Sequence, residues 1–491
     1  MKKIVYLIGI ALLLGCTQHK TSQKNTEKNK TPEVQVENTG NVDFAAYFSD
    51  RTMRVDYYHS GNAGEEHFAA SQIVNDGPWS GSKKVLIDIL RLGAYFFEVA
   101  DTASGTLLYS RGFSSIFGEW QTIPEAKEHW GTFPESVRFP WPKKPVTLIL
   151  KKRDDTNKFQ TIWTTVIDPS SRKVNPAPPE QIYKTDIIHE SGPASQKLDI
   201  VILGDGYTKP EMTKFVNDAK RLTDVLLNTE PFKSRKNDIN IRAVETPSEV
   251  SGITKPHHGI FKRTPLSAHY SSFDSERYVL TYDNQTVRNV ASEVPYDFMI
   301  ILVNEKTYGG GGIYNLYTTV AADNTFSGYI MVHELGHHIG ALADEYYTSS
   351  VSYEKTAITT EPWEPNITAL MDKNNLKWKD LVDPGTPIPT PWEKEKFDTY
   401  EYGVQKERDS LRAAHAPESV VEDLFKDELA KEDQIFSKEP YRDKVGAFEG
   451  GGYMQYGLYR PQLDCIMFTR HMQFCKVCQR SLSNVIDQYT Q

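Results

Sequence analysis

The sequence predicts an α+β protein, an antiparallel β-sandwich followed by a mixed α/β domain. Three observations predict it. From about Asp43 to Pro169 the apolar runs are short, rich in β-branched and aromatic residues, and punctuated by Gly, Asn, Asp and Pro. A Pro- and Ser-rich stretch, "DPSSRKVNPAPPE" (168–180), then interrupts the pattern. Beyond it, strand-like runs alternate with segments of helical periodicity. The expected organisation is a leader over 1–16, a tether over 17–42, the sandwich over 43–169 and the second domain over 182–491.

The leader, "MKKIVYLIGIALLLGC", has Lys2 and Lys3 ahead of an apolar stretch from Ile4 to Leu14. That stretch is too short to span a bilayer and reads as a targeting signal. Its end, Leu13-Leu14-Gly15-Cys16, resembles the bacterial lipobox, in which cleavage leaves the Cys as a lipidated N-terminus. The polar, Lys-, Asn- and Thr-rich stretch after it lacks the apolar surface to fold. The expectation is an extracytoplasmic bacterial lipoprotein attached to the membrane through lipid on Cys16, facing the periplasm or the cell surface.

The sandwich rests on runs such as "MRVDYYHSG", "YFFEVAD", "VTLILKKR" and "FQTIWTTVID". Its histidines, His59, His67 and His129, are scattered, so it reads as an accessory domain.

In the second domain "LDIVILGDGYT" places a buried strand from Leu198 to Leu203. Thr208 and Glu211 fit a capping box, and Met212, Phe215, Ala219, Leu222 and Leu226 recur at helical spacing. "INIRAVET" and "YDFMIILVN" are further strands. Gly309–Gly312 reads as a flexible loop, or as a loop beside a substrate cleft, because no Lys-Ser/Thr follows to make a phosphate loop. From Trp392 to Phe436 the chain is highly charged, with a thin stripe of Val420, Val421, Leu424 and Leu429. It reads as a solvated helical insertion in preference to a lid over an active site. Cys465, Cys475 and Cys478 cluster near the C-terminus. A disulfide between two of them is the first expectation in an oxidising compartment; a structural zinc, with His471 as a further ligand, is the second.

The chemistry lies in "MVHELGHHIGALADEYY" (331–347). His333 and His337 are i and i+4, one turn apart on one side of a helix, where their imidazoles converge on one zinc ion. Glu334, beside the first ligand, reaches a water rather than the metal. This is the HExxH arrangement of zinc peptidases. A catalytic zinc needs a third protein ligand and an open position. On a continuous helix Asp344 would share the His face but lie about 10 Å beyond His337. Asp344 is therefore a ligand only if the helix ends near Gly340 and the chain turns back; Glu345 is the alternative. His338 points off the ligand face.

"HELGHHIGALADEYY" resembles the signature of the bacterial IgA peptidase family of zinc metallopeptidases. "VILGDGYT", "YGGGGIYN", "EPNIT" with "LKWKDL", and "GGGYMQYGLYRPQLDCIMFTRHMQFCKVCQRSL" are similar to other parts of it. "RVDYYHSG" and "YSRGFSSIFGEW" resemble the accessory domain that precedes its peptidase domain. The resemblance implies a zincin- or metzincin-like fold, His333 and His337 as ligands, Glu334 as general base, and the acidic pair at Asp344 as the source of the third ligand. In metzincins a Met lies beneath the metal after a tight turn; Met467 fits that place, and Met454 is the weaker candidate. Tyr459 is a candidate to hydrogen-bond the tetrahedral intermediate. The family name carries no substrate to this chain.

Together these readings predict zinc-dependent hydrolysis of peptide bonds in protein or glycoprotein substrates. A surface binding lipoprotein with a vestigial zinc site, and a zinc amidase acting on cell-wall peptides, fit parts of the same pattern. The net charge of −9 argues against a nucleic-acid surface.

Overall fold

The computed structural model describes residues 42–349 and 358–490. The expected leader, with Cys16, and residues 17–41 of the expected tether lie outside the described residues. No helix among the described residues is long and apolar enough to cross a membrane.

A one-turn helix, α1 (Phe44–Tyr47), leads into eight strands: β1 (Phe48–Gly61), β2 (Glu66–Asn75), β3 (Tyr95–Asp101), β4 (Leu107–Phe113), β5 (Gly131–Pro142), β6 (Val146–Arg153), β7 (Phe159–Ile167) and β8 (Val174–Asn175). Two short helices, α2 (Ile116–Trp120) and α3 (Glu125–Glu128), lie between β4 and β5. One sheet has the order β5-β1-β2-β8 and the other β4-β3-β6-β7. All their pairings are antiparallel except that of β2 with β8. Strand alternation sends Met53, Val55 and Tyr57 of β1, Phe97 and Val99 of β3, and Leu148 and Leu150 of β6 into one core. The sheet takes in β8, which lies beyond residue 169, and Val42 packs into the same core.

The rest of the chain is organised by a six-stranded sheet. Its strands are β9 (Lys184–His189), β10 (Leu198–Asp205), β11 (Ile239–Glu245), β12 (Phe298–Val303), β13 (Gly310–Ile313) and β14 (Tyr317–Ala321), in the order β13-β14-β12-β10-β11-β9. The four central strands are parallel and the two edge strands antiparallel. Parallel strands are covered on both faces, which is why β10 and β12 are apolar along nearly their whole length. Leu198, Ile200 and Ile202 face a core built with α4 (Met212–Leu227) and α6 (Ser327–Gly340). Val201 and Leu203 face a second core, which takes in Val287 and Val290 of α5 (Asn284–Ala291). Ile116, Phe117 and Trp120 of α2 are also buried in that second core, so the sandwich is joined to the sheet by continuous apolar packing. The expected capping box at Thr208 and Glu211 is present, and α4 buries the five residues its spacing singled out.

Two local expectations are corrected. The glycine run is not a loop: Gly310–Ile313 is the edge strand β13. A Cβ on Gly312 would lie 2.3 Å from the Glu334 carbonyl oxygen, and one on Gly310 would lie 2.5 Å from Cγ2 of Ile330. Only glycine lets this strand lie so close to α6. The charged insertion is not simply solvated. It forms a hairpin of α7 (Lys394–Ala413) and α8 (Glu418–Phe436) whose inner stripe is Val421, Phe425, Glu428, Glu432 and Ile435. Of the expected stripe, Val421 is buried and Leu429 packs partly buried against the core, while Val420 is exposed. Charge pairing brings a polar residue to an inward position as well, since Glu428 is buried against Arg470 at 2.6 Å. The hairpin β15 (Phe448–Gly451) and β16 (Met454–Arg460) and the closing helix α9 (Lys476–Thr490) complete the fold. The α+β class read from the sequence, with N-terminal antiparallel sheets, is the one observed.

Candidate active site

The α6 helix carries His333, Glu334 and His337. It ends at Gly340, and the next residue, Ala341, adopts the left-handed conformation at φ 52°. The turn closes through Ala341 N–H to His337 O at 3.1 Å and Leu342 N–H to Gly336 O at 3.2 Å. The helix therefore stops where the position of Asp344 requires, but through Ala341 rather than Gly340. Gly340 serves packing instead: a Cβ there would meet Leu482 of α9 at 3.0 Å.

The returning chain is clamped from three sides. Asn366 bonds both the amide and the carbonyl of Ala343, each at 2.8 Å. Glu345 N–H donates to Met467 O at 2.7 Å, and Gly452 N–H donates to Asp344 O at 2.9 Å. Asp344 Oδ1 thereby comes to 3.0 Å from His333 Nε2 and 3.3 Å from His337 Nε2, and the two Nε2 atoms are 3.3 Å apart. The outer nitrogens are engaged elsewhere. His333 Nδ1 lies 2.8 Å from Ile466 O, and His337 Nδ1 lies 2.6 Å from Leu342 O. A carbonyl only accepts, so each Nδ1 carries the proton and, in the neutral ring, each Nε2 lone pair faces inward.

Electrostatics favour a positive charge between these atoms. Burial alone would raise the Asp344 carboxyl, but the imidazoles of His337 and His333 hold it well below the usual carboxylate range. Burial opposes charge on His337, yet Asp344 and Glu334 push it up to about 9. Burial raises the Glu334 carboxyl, with His333 and His337 pulling the other way.

The other residues singled out in the sequence fall as follows. Met467 lies under α6, since a Cβ on Gly336 would come within 2.7 Å of its sulfur. Its turn closes through Phe468 N–H to Cys465 O at 2.8 Å. Met454 is a half-buried residue at the start of β16. Tyr459 is not brought to the cleft; it sits in β16 with its backbone paired to Thr368. Tyr329 OH lies 3.3 Å from His333 Nδ1, and Tyr453 also reaches the site, its hydroxyl donating to Asp344 Oδ2. Sequence reasoning missed it, although it stands beside Met454 in a stretch already singled out. Glu345 turns away from the imidazoles toward the cysteines, with its Oε1 3.3 Å from Cys478 Sγ. His338 is buried against Thr318 and Phe298 and has no part in the site. The three cysteines are free thiols, with Cys465 and Cys478 Sγ 3.8 Å apart against about 2.05 Å in a disulfide, so the expected pairing is absent. His471 is engaged by Asp464 at 2.9 Å rather than by the cysteines.

Two cavities meet at the site. One, of about 730 Å³, runs from His333, Glu334, His337 and Asp344 past Tyr453 to a wall made by the sandwich, including Tyr95, Glu119 and Gln121. The other, of about 360 Å³, runs from His333 and Glu334 under α7 and α8, beside Glu401, Arg408 and Arg470. Arg277, Glu334 and Tyr346 line both. The sandwich, read as an accessory domain, thus forms one wall of the cleft, and Tyr278 OH of the second domain donates to its Glu119 at 2.7 Å.

An HExxH helix beneath a cleft is an arrangement suited to metal-dependent hydrolysis. The chain matches the IgA Peptidase M64 family over residues 187–486 and the Peptidase M64 N-terminus over residues 43–164. It belongs to the IgA Peptidase M64 family and is a peptidase of that family. No curated protein matches it.

Proposed function

We propose that this protein is a zinc-dependent endopeptidase of extracytoplasmic protein substrates, tethered to the membrane through Cys16. The observation that carries the catalytic reading is the convergence of His333 Nε2, His337 Nε2 and Asp344 Oδ1 within 3.3 Å of one another. Tetrahedral ligands at about 2.0–2.1 Å from zinc stand about 3.3 Å apart. Asp344 Oδ1 is buried with no hydrogen-bond partner, and in the neutral rings both inward nitrogens carry lone pairs, so the donor set fits the ion. His333, His337 and Asp344 would hold it.

Zinc bound there supplies a Lewis acid that polarises the scissile carbonyl and acidifies water. The chain's own groups do the rest. Glu334 takes the proton of the attacking water and returns it to the leaving amine nitrogen. Tyr453 fixes Asp344, and Ile466 and Leu342 fix the ring orientations. Internal cleavage is supported by the two cavities that flank Glu334, since a chain can extend to both sides of the scissile bond. Strand pairing with substrate narrows to Gly312, because the amide and carbonyl of Gly310 are already taken by Arg277 and Val279.

The test is Glu334→Gln on a denatured protein substrate. It should stay folded and zinc-loaded, with kcat lowered about 10²–10⁴-fold and little change in KM. Cleavage near the wild-type rate would overturn the mechanism, and loss of zinc would make Glu334 a ligand.

A further inference from the structure

Below the site, where Glu345 turns away from the imidazoles, the chain assembles a second set of metal-type donors. Glu345, Cys465, Cys475 and Cys478 each offer one atom, all lying within 4.8 Å of one another, and all four residues are buried. Cys465 Sγ and Cys478 Sγ are 3.8 Å apart. Glu345 Oε1 is 3.3 Å from Cys478 Sγ and 4.0 Å from Cys475 Sγ. Sulfur ligands at about 2.3 Å in a tetrahedron stand about 3.8 Å apart, and a sulfur and a carboxylate oxygen about 3.5 Å apart.

We propose that Cys465, Cys475, Cys478 and Glu345 bind a second, structural zinc ion. It is separate from the proposed catalytic ion, to which Glu345 is joined only through its neighbour Asp344.

Several observations besides spacing point to a ligand here. Glu345 Oε2 is completely buried and has no hydrogen-bond partner, a costly arrangement for a carboxylate unless a cation takes up its charge. Backbone amides point at the sulfurs, with Cys475 N–H donating to Cys465 Sγ at 3.2 Å and Cys478 N–H donating to Cys475 Sγ at 3.4 Å. Such donors favour thiolate over thiol. Three soft sulfurs with one oxygen in a closed, tetrahedral arrangement select zinc over calcium or magnesium. A closed set of four protein ligands leaves no open position, which marks the ion as structural.

The ion would bind together three segments, one of them far in sequence from the other two. These are the chain after α6, the turn that carries Met467, and the start of α9. Through Glu345 it would hold Asp344 in place. It would also keep three thiols reduced in a compartment where they otherwise pair or oxidise.

The experiment is metal analysis and cobalt substitution of the full chain. As isolated, the protein should contain about two zinc ions per chain. Cobalt(II)-substituted protein should show thiolate-to-cobalt charge-transfer absorption in the near ultraviolet. The double variant His333→Ala, His337→Ala should keep that absorption and about one zinc. Cys475→Ser should lose the absorption and lower the Tm. Should Cys475→Ser fail to fold, the wild-type cobalt spectrum still decides. A wild-type cobalt protein without the thiolate band overturns the proposal, as does native protein whose three thiols react freely or that contains a disulfide among them. A site of only nitrogen and oxygen ligands cannot produce that band. Failure of the catalytic reading, with the band retained, is therefore distinguishable from failure of this one.

Discussion

Ile466 O accepts the Nδ1 proton of His333 at 2.8 Å, across 133 residues of chain. The next residue, Met467, lies under the same helix and accepts the Glu345 amide at 2.7 Å. One turn near the C-terminus thus sets the tautomer of the first histidine and the path of the chain that bears Asp344. The integrity of the site depends on this turn as much as on the helix that carries the motif.

Asp344→Ala removes the third donor from the His333–His337 pair. Loss of a group that only supports a ligand typically costs about 10–100-fold in metal affinity. Loss of Asp344 should cost more than that, with activity falling in parallel. Competition with a chelator of known zinc affinity measures it. An affinity equal to wild type would mean that the ligand lies elsewhere.

Tyr453→Phe deletes the hydroxyl that donates to Asp344 Oδ2. Catalytic zinc affinity should fall about 10–100-fold, the cost of losing an orienting partner. Tyr459→Phe should change neither zinc affinity nor kcat/KM, because its hydroxyl is not brought to the cleft. The opposite ranking of the two variants would place Tyr459 in the site.

Gly312→Ala sets a methyl group 2.3 Å from the Glu334 carbonyl oxygen. The neighbour is backbone and cannot rotate away, so β13 or α6 must move. Overpacking usually costs about 1–3 kcal/mol, and this case should lie at the upper end. Activity should fall with stability, since the displaced helix carries Glu334. A thermal melt and a cleavage assay on the same sample check it, and wild-type values for both would refute the close packing.

His59 tests the sandwich by pH. Burial opposes its charge, but Glu135 at 3.1 Å and Glu66 at 2.9 Å raise its pKa above the ordinary value. A raised folded pKa means that the folded state holds the proton more tightly. The stabilisation is therefore fully present below the unfolded pKa of about 6.5 and is lost as pH rises through the higher folded value. The difference in urea midpoint between wild type and His59→Gln should be larger at pH 6 than at pH 9. A difference independent of pH would mean that the imidazole is not charged.

What the sequence determined by itself was local. The i, i+4 spacing of His333 and His337 places two imidazoles on one side of any helix, and strand alternation needs only neighbouring residues. The α+β class, the capping box at Thr208 and the buried face of α4 were legible for the same reason. Asp344 was legible as a condition, that the helix must end; Ala341 meets it, in a conformation that no residue preference announces. The tertiary structure alone decided the rest. Tyr453 reaches Asp344 from 109 residues away, and Glu345 meets Cys478 across 133. The glycine run became an edge strand by pairing with β14 close against α6, and the charged insertion buried Glu428 because Arg470 waits opposite. Spacing along a chain fixes which side chains share a local surface. Which distant surface they meet depends on packing of the whole, and no periodicity in the sequence encodes it.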